Sequence, residues 1–417
     1  MRITEYFLIR VGYIYVVLYS LNDITFIIMG LLEIIIGTYC AYFVAYNLIF
    51  ALVSFLYKKS KLNELPDAFH NIAVLVPAYK CDAVILSTVR KNLETVYPKE
   101  HWKLFVIADG LTSTTRELLK EMPIELVEVN FEKSTKVKSL QRCMDHPTME
   151  EYDTVVILDA DNVMEADFLM HMNQKLEKEN AIQGLREASN QNNSLAVLDG
   201  ISESLNITTF RQGPEVLGLS VSLCGSGMAF KKKPFLEVLK KMNSIGGFDR
   251  ELEFELLSDG VRSSFLKEAI VYDEKTDELS NFKKQRTRWI SSHFHYLKKY
   301  FKKGMIQFLK GNFTYFHSTI LRNLQLPRAI NIGLLTLFTL LAVGLSFLGF
   351  WNWKVWVILW SVNTLITFLV IPRSFFNRKL INALFRLPKV IFSMFLLLFR
   401  LKGANRKFIH TTHKVRT

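Results

Sequence analysis

The sequence predicts an α/β domain inserted between transmembrane helices, with interfacial amphipathic helices beside it. Three observations carry that fold class. Half of the 417 residues are hydrophobic although 22% are charged, because apolar ends flank a polar middle. In that middle, from residue 70 to about 310, apolar runs of strand length alternate with amphipathic stretches. The basic clusters Lys58-Lys59-Ser60-Lys61, Arg373 to Lys379 and Arg400 to Arg416 adjoin apolar segments, where the positive-inside rule places them.

Taken in order, Tyr6 to Leu21 is short and aromatic-rich and reads as a first span or an interfacial helix, with Asn22-Asp23 as a break after it. Arg10 and the lack of a small-residue cleavage site argue against a cleavable signal peptide. Ile24 to Tyr57 is almost continuously apolar and, at ~1.5 Å per residue, long enough to cross a ~30 Å bilayer core. Ile72–Val76, Leu104–Ile107, Ile124–Val129 and Thr154–Leu158 then read as strands, with helices over 83–95, 113–121 and 135–144 between them. This alternation predicts a parallel sheet that binds ligands beyond its carboxyl ends. Phe313 to Arg328 is mixed and interfacial, and Ile330 to Phe350 and Val355 to Ile371 read as spans joined by the aromatic turn Trp351-Asn352-Trp353-Lys354. Leu380 to Phe399 carries Arg386, Pro388 and Lys389 and reads equally as an interface helix or a span. The domain boundaries that follow are 1–60, 61–312, 313–400 and a basic tail, 401–417.

The net charge of +13 suits an anionic leaflet or an anionic substrate. Nucleic acid is the rival partner, but the middle domain shows little aromatic–basic interleaving, so no nucleic acid is expected. Cys40, Cys81, Cys143 and Cys224 are too scattered for a zinc site or disulfide framework and read as reduced thiols. His293 and His295 form no metal-ligand pattern.

The chemistry gathers at strand ends. The strand Thr154–Leu158 runs into Asp159-Ala160-Asp161-Asn162, and two carboxylates so spaced chelate a hard divalent cation that in turn clamps a diphosphate. The strand Leu104–Ile107 runs into Ala108-Asp109-Gly110, and Ile72–Val76 into Pro77-Ala78-Tyr79. If adjacent, these ends make a nucleotide site; Asp109 also reads as a cap for the following helix. Lys136, in Thr135-Lys136-Val137-Lys138, adds a cation nearby, whereas Lys138 reads as well as a solvated residue.

The order Pro-Ala-Tyr, Ala-Asp-Gly, Thr-Lys-x-Lys-Ser-Leu, Asp-Ala-Asp, Cys-Gly-Ser-Gly and Gln285-Arg286-Thr287-Arg288-Trp289 resembles the processive family 2 glycosyltransferases, which include cellulose, hyaluronan and poly-N-acetylglucosamine synthases. The resemblance implies a GT-A-type nucleotide-diphospho-sugar-binding domain on the cytoplasmic side of a bacterial inner or plasma membrane, with Mg2+ or Mn2+ as cofactor and a UDP-sugar as donor. It implies that Pro77, Tyr79 and Asp109 meet the nucleoside, Asp159 and Lys136 the ribose and diphosphate region, and Asp161 the metal. Gln285 and Arg288 would face the diphosphate and acceptor side, Trp289 would stack under the acceptor sugar, and Cys224, Gly225 and Ser226 would line the acceptor path. The family's general base is an acidic residue before a helix, with Asp249 and Asp259 as candidates. The interval to Gln285 is 285 − 249 = 36 residues from the first and 285 − 259 = 26 from the second, and only the longer leaves room for helix, strand and crossing loop, which favours Asp249. An acidic partner before Asp249 is missing, and Lys80-Cys81-Asp82 stands where the family has Asn-Glu. The tail Asn405 to Thr417 resembles in place a gating tail that folds over the diphosphate. The acceptor is read as a growing polysaccharide, exported if interface helices or a homo-oligomer complete the path, with a membrane lipid as the alternative and a non-catalytic scaffold as a third reading.

Overall fold

The computed structural model describes residues 2–59, 66, 68–190, 193–274, 279–347 and 351–399. The tail from Asn405 lies outside them, as do Ser60, Lys61 and Arg400 of the basic clusters. The elements run in chain order as α1 (Arg2–Ser54), β1 (Ile72–Tyr79), α2 (Asp82–Asn92), β2 (Trp102–Asp109), α3 (Ser113–Lys120), β3 (Glu125–Val129) and α4 (Lys136–Met144). Next come β4 (Thr154–Ile157), β5 (Val163–Met164), α5 (Phe168–Leu176), β6 (Ala181–Ala188), α6 (Ser194–Ile207), α7 (Gly213–Val216), β7 (Met228–Lys231), α8 (Lys232–Leu239), α9 (Phe248–Ser258) and β8 (Ser263–Asp273). The chain ends in α10 (Leu279–Leu309), α11 (Phe313–Phe316), α12 (Arg322–Leu324), α13 (Arg328–Ser346), α14 (Trp353–Val370) and α15 (Arg378–Leu398). It divides into two compact units, one of Met1–Ile49 and Arg328–Leu369, the other of Phe50–Pro327 and the segment from Val370 onward.

In the first unit, α1 is one continuous helix and the break expected at Asn22-Asp23 does not occur. Each of those residues costs under about 0.7 kcal/mol of helix propensity, less than breaking the backbone ladder between apolar stretches. Trp351 and Trp356 stack with centroids 5.5 Å apart. With Cys40, Phe43, Val44, Leu335 and Ala342 they fill the interior of this unit. Glu33 accepts hydrogen bonds from Trp356 Nε1 and the Asn352 backbone N–H, both at 3.1 Å. Among the described residues, four helical segments are long and apolar enough to cross a membrane: Ile27–Ser54, Arg328–Ser346, Trp353–Val370 and Arg378–Leu398.

The second unit is built on an eight-stranded sheet of order β3-β2-β1-β4-β7-β6-β8-β5. β1, β2, β3 and β4 are parallel neighbours, as the sequence predicts. The all-parallel expectation fails at β7, which runs antiparallel to both β4 and β6, and at β5, antiparallel to β8. The reversal has a local cause: β7 follows the Cys224–Gly227 loop at the carboxyl edge of β4, so it can only run back across the sheet. Alternation along β1 sends Ile72, Val74 and Val76 into a layer with Ile85, Leu119, Phe168 and Met172. Ala73 and Leu75 pack on the other face with Val137, Leu140, Phe235 and Leu252. Each large apolar side chain so buried contributes about 1.5–3 kcal/mol. Within this unit α15 packs Leu380 and Ala383 against Val197, Ile201 and Leu205 of α6.

Candidate active site

The carboxyl ends of β2, β1 and β4 lie side by side, bringing the sequence-predicted groups to one edge. Tyr79 and Asp109 are cross-strand partners, and Pro77 pairs with Ile107 two residues before them. The chain turns sharply here, with Lys80 at φ 48° and Gly110 at φ 68°. Asp109 does not cap the next helix: Thr112 does, accepting from the Thr115 backbone N–H, while Asp82 Oδ1 takes both the backbone N–H and the hydroxyl of Thr112 at 2.8 Å. Asp82, one of the departures from the family pattern, therefore braces this turn. Asp109 is left 4% exposed with Oδ2 lacking a hydrogen-bond partner. Burial raises its pKa above the usual carboxylate range, against the opposing pull of a Ser134 hydrogen bond and the Lys80 charge.

After β4 the chain turns through Asp159-Ala160-Asp161-Asn162, closed by the Asn162 N–H on the Asp159 carbonyl at 3.0 Å. Asn92 of α2 pins this turn, its Nδ2 donating to the Asn162 carbonyl at 3.0 Å and its Oδ1 accepting from the Met164 N–H at 2.8 Å. Asn162, 1% exposed, donates from Nδ2 to Asp161 Oδ1 at 3.3 Å. Lys136 is no solvated residue: its ammonium pairs with Asp159 Oδ1, donates to the Gly225 carbonyl at 2.7 Å and lies 4.7 Å from the Phe248 ring centroid. Lys138 instead reaches the Lys133 carbonyl at 3.1 Å and lies 6.0 Å from the Phe131 ring centroid, in an exposed setting.

The Cys224–Gly227 loop meets the same turn. Ser226 is fully buried and its Oγ accepts from the Asp159 backbone N–H at 2.9 Å. Gln183 of β6 holds the loop from beneath, accepting from the Cys224 N–H at 2.9 Å and donating to the Ser226 carbonyl at 3.0 Å. Gly225, at φ 88°, takes a conformation that side chains rarely adopt. Gln183 was not legible in the sequence, because a polar residue within a strand reads as solvent-facing there.

Asp249 lies in the first turn of α9, behind Gly247 at φ 68°, where a Cβ would meet Ser292 and Tyr296 at 2.9 Å. Asp259 caps the opposite end, exposed and paired with Lys241 at 2.8 Å. Asp249 directly follows Phe248, whose ring centroid lies 4.7 Å from the Lys136 ammonium that pairs with Asp159. Burial lowers the pKa of Arg288 of α10, and the carboxylates of Asp159 and Asp249 oppose that shift. Gln285, one turn earlier, has a buried Oε1 without a partner. Trp289 is half-buried, with the Arg286 guanidinium 4.2 Å from its ring centroid. His293 is buried beside Arg250 and its pKa falls to about 3, with desolvation as the main cause. Among the described residues no three His, Cys, Asp or Glu side chains converge as a closed metal site. The four cysteines are free.

Residues 70–292, more than half of the chain, match the family model described as Glycosyltransferase like family 2. The chain belongs to that family. It is similar to the probable glycosyltransferase YdaM of Bacillus subtilis (strain 168), 22% identical over 342 residues, which are 77% of this chain and 78% of that protein. Among solved structures it is similar to the mannosyltransferase PcManGT from Pyrobaculum calidifontis in complex with GDP-Man and Mn2+. The TM-score is 0.50 at 14% identity, over 80% of this chain and 98% of that one. The catalytic unit thus has a GT-A-like nucleotide-sugar-binding fold with a mixed sheet, and the protein is a glycosyltransferase that uses nucleotide sugars.

Proposed function

We propose that this glycosyltransferase is an inverting, metal-dependent membrane enzyme that elongates a polysaccharide from a UDP-sugar on the cytoplasmic side. The observation that carries the reading is the edge where Tyr79 and Asp109 are cross-strand partners and Lys136 pairs with Asp159 while donating to the Gly225 carbonyl at 2.7 Å. A cation beside the Asp159-Ala160-Asp161 turn, on the same sheet edge as the buried carboxylate of Asp109, suits a nucleoside diphosphate as leaving group.

In this reading the base rests at Tyr79 and Asp109, where the unpartnered Oδ2 accepts a ring N–H. Lys136 and Arg288 face the diphosphate, and Arg288 offers a fork of donors to its oxygens. Asp249 takes the proton of the acceptor hydroxyl. The acceptor oxygen bonds to the anomeric carbon, the carbon–phosphate-oxygen bond breaks, and the nucleoside diphosphate leaves with the electron pair. Attack from the face opposite the diphosphate inverts the configuration. Gln285 Oε1 is a hydrogen-bond acceptor, which suits a sugar hydroxyl, and the Trp289 indole gives the acceptor ring an apolar platform. Cys224, Gly225 and Ser226 place backbone alongside the acceptor path.

Asp161 and Asp159 on one turn are a hard-oxygen donor set that fits Mg2+ or Mn2+, which need only one or two carboxylates beside phosphate and water. Such an ion would neutralise charge on the departing diphosphate.

A second reading, transfer of one sugar to a membrane lipid, is favoured by the first unit, whose interior is filled by Trp351, Trp356 and Phe43. Purified protein in lipid nanodiscs, given UDP- and GDP-sugars with Mg2+ or Mn2+, tests both. Release of UDP from one donor, lost in Asp249→Asn and accompanied by a high-mass product, supports polysaccharide synthesis. A labelled lipid product supports the second reading, and release from GDP-sugars alone refutes the uridine assignment.

A further inference from the structure

The helix α6 was not expected from the sequence, and it carries two acidic residues one turn apart that point at arginines of the site. Asp199 forms a buried ion pair with Arg286, whose guanidinium lies 4.2 Å from the Trp289 ring centroid and 4.8 Å from that of Phe282. Side-chain exposures of 11% for Arg286 and 8% for Asp199 leave little of this pair to water. Glu203 pairs with Arg186 at 3.4 Å and with Arg211 at 2.8 Å. Arg186 then reaches the acceptor loop and Arg211 the segment leading into it: Arg186 Nη1 donates to the Cys224 carbonyl at 3.4 Å and Arg211 Nε to the Ser222 carbonyl at 3.2 Å. Arg186 also pairs with Asp273 at 3.4 Å, and Asp273 Oδ1 accepts from Asn162 of the Asp159–Asn162 turn at 3.5 Å.

The chain is shaped to deliver these groups. After α6 it passes through one π-helical segment, Thr208–Gln212, which carries Arg211. Pro214 has no N–H to offer the Phe210 carbonyl four residues back, and the Ser222 N–H takes that carbonyl instead at 2.9 Å. The end of this helical stretch is thereby stitched to the strand-like segment leading into Cys224. Buried ion pairs contribute little net stability compared with apolar residues of similar volume, so stability alone does not account for three of them on and around one helix.

We propose that α6 positions the acceptor-side groups of the site, Asp199 holding Arg286 against Trp289 and Glu203 holding Arg186 against the Cys224–Gly227 loop and Arg211 against the segment that leads into it. This rests on the assignment of Trp289 and that loop to the acceptor. Asp199 and Glu203 are positioning residues: they touch neither donor nor acceptor, and their loss loosens the platform on which the acceptor hydroxyl is aligned. When that alignment fails, water takes the hydroxyl's place; its oxygen bonds to the anomeric carbon, Asp249 takes its proton, and the nucleoside diphosphate leaves with the electron pair.

The test uses the full-length protein in nanodiscs of native lipid, with radiolabelled UDP-glucose, UDP-N-acetylglucosamine and GDP-mannose as donor probes and UDP and GDP as binding probes. Two quantities are read: nucleotide Kd, and the ratio of nucleotide released to sugar incorporated. Asp199→Asn removes the charge that holds Arg286, and Arg286→Lys keeps a cation but loses the planar stack. The expected result for both is a nucleotide Kd within about twofold of wild type and a release-to-incorporation ratio raised roughly tenfold, the scale of a small misplacement at a reacting centre. A general loss of folded protein lowers both rates and leaves their ratio alone. An unchanged ratio in whichever variant folds, or a Kd that rises in step with it, overturns the proposal. Trp289→Ala separates this from the underlying assignment. If Trp289→Ala raises the ratio and the other two do not, only the role of α6 fails; if it too leaves the ratio alone, the acceptor-side assignment fails.

Discussion

Asp109→Asn is expected to weaken nucleotide binding while stabilising the empty protein. The carboxylate is 4% exposed and Oδ2 has no partner, so wild type carries an incompletely satisfied buried charge. Such a group costs about 1–3 kcal/mol, and the Ser134 hydroxyl and Lys80 charge place this case near the lower end. The amide removes the charge at constant shape, so the unliganded variant should gain about 1 kcal/mol. A ring N–H on a carboxylate is a charge-assisted hydrogen bond of about 1.5–3 kcal/mol, so the UDP Kd should rise roughly tenfold to a hundredfold. The pH dependence has a definite sign. The folded pKa of Asp109 is raised, so its contribution to stability is fully present below the unfolded carboxylate value and is lost as pH rises through the folded value. The gain from Asp109→Asn therefore appears at neutral pH and fades in acid. Nucleotide affinity runs the other way in wild type, falling as pH drops through the raised value, and is flat in the variant. Titration calorimetry with UDP and thermal unfolding across the acid range measure both. A UDP Kd within twofold of wild type, or a less stable empty variant, would refute the argument.

Asp249→Asn should lower sugar transfer by about 10²–10⁴ with nucleotide Kd unchanged, whereas Asp259→Asn, which loses only an exposed pair with Lys241, should stay within about twofold; steady-state NDP release compares them. Chelation of divalent ions should abolish transfer, and Asp161→Asn should raise the Mn2+ concentration for half-maximal rate, read from a metal titration of the apo enzyme. Arg322→Met leaves Glu253, 0% exposed, with the Leu223 N–H but without its guanidinium partner, so it should destabilise the catalytic unit by about 3–5 kcal/mol, and Glu253→Leu added to it should restore most of the loss in a double-mutant unfolding cycle.

The strands β1 to β4 and the helices between them were legible because each strand is a short buried apolar run and each helix an amphipathic one, such as Val137, Leu140 and Cys143 along α4. That Tyr79, Asp109 and Asp159 come to one edge was legible for the same reason, since a strand end fixes where the following residue must lie. β6 was not, because Gln183 and Arg186 interrupt its apolar pattern; both are buried in polar contacts that only the fold supplies. β7 has four residues, too few for any periodicity, and its reversed direction is not encoded in the order of elements. The helix α6 was hidden because Asp199 and Glu203 look like solvated charges until Arg286, Arg186 and Arg211 are placed opposite them. Asn22-Asp23 erred in the other direction, since two weak helix formers do not outweigh long apolar flanks.

The misread strands explain how the Asp159 turn and the Cys224–Gly227 loop, the donor and acceptor sides of the proposed site, share one frame. β4 ends at the Asp159 turn and β7 begins at the Cys224–Gly227 loop, and the pair Ile157↔Met228 ties the two ends together by backbone hydrogen bonds. Ser226 Oγ on the Asp159 N–H and Lys136 between Asp159 and the Gly225 carbonyl repeat that tie through side chains. An all-parallel sheet would start its next strand at the opposite edge and leave the acceptor loop with no such anchor. The antiparallel strand therefore fixes the Cys224–Gly227 loop against the Asp159 turn, which in the proposed reading sets the distance between leaving group and acceptor, and Gln183 stays polar because it takes the Cys224 N–H and donates to the Ser226 and Gly227 carbonyls.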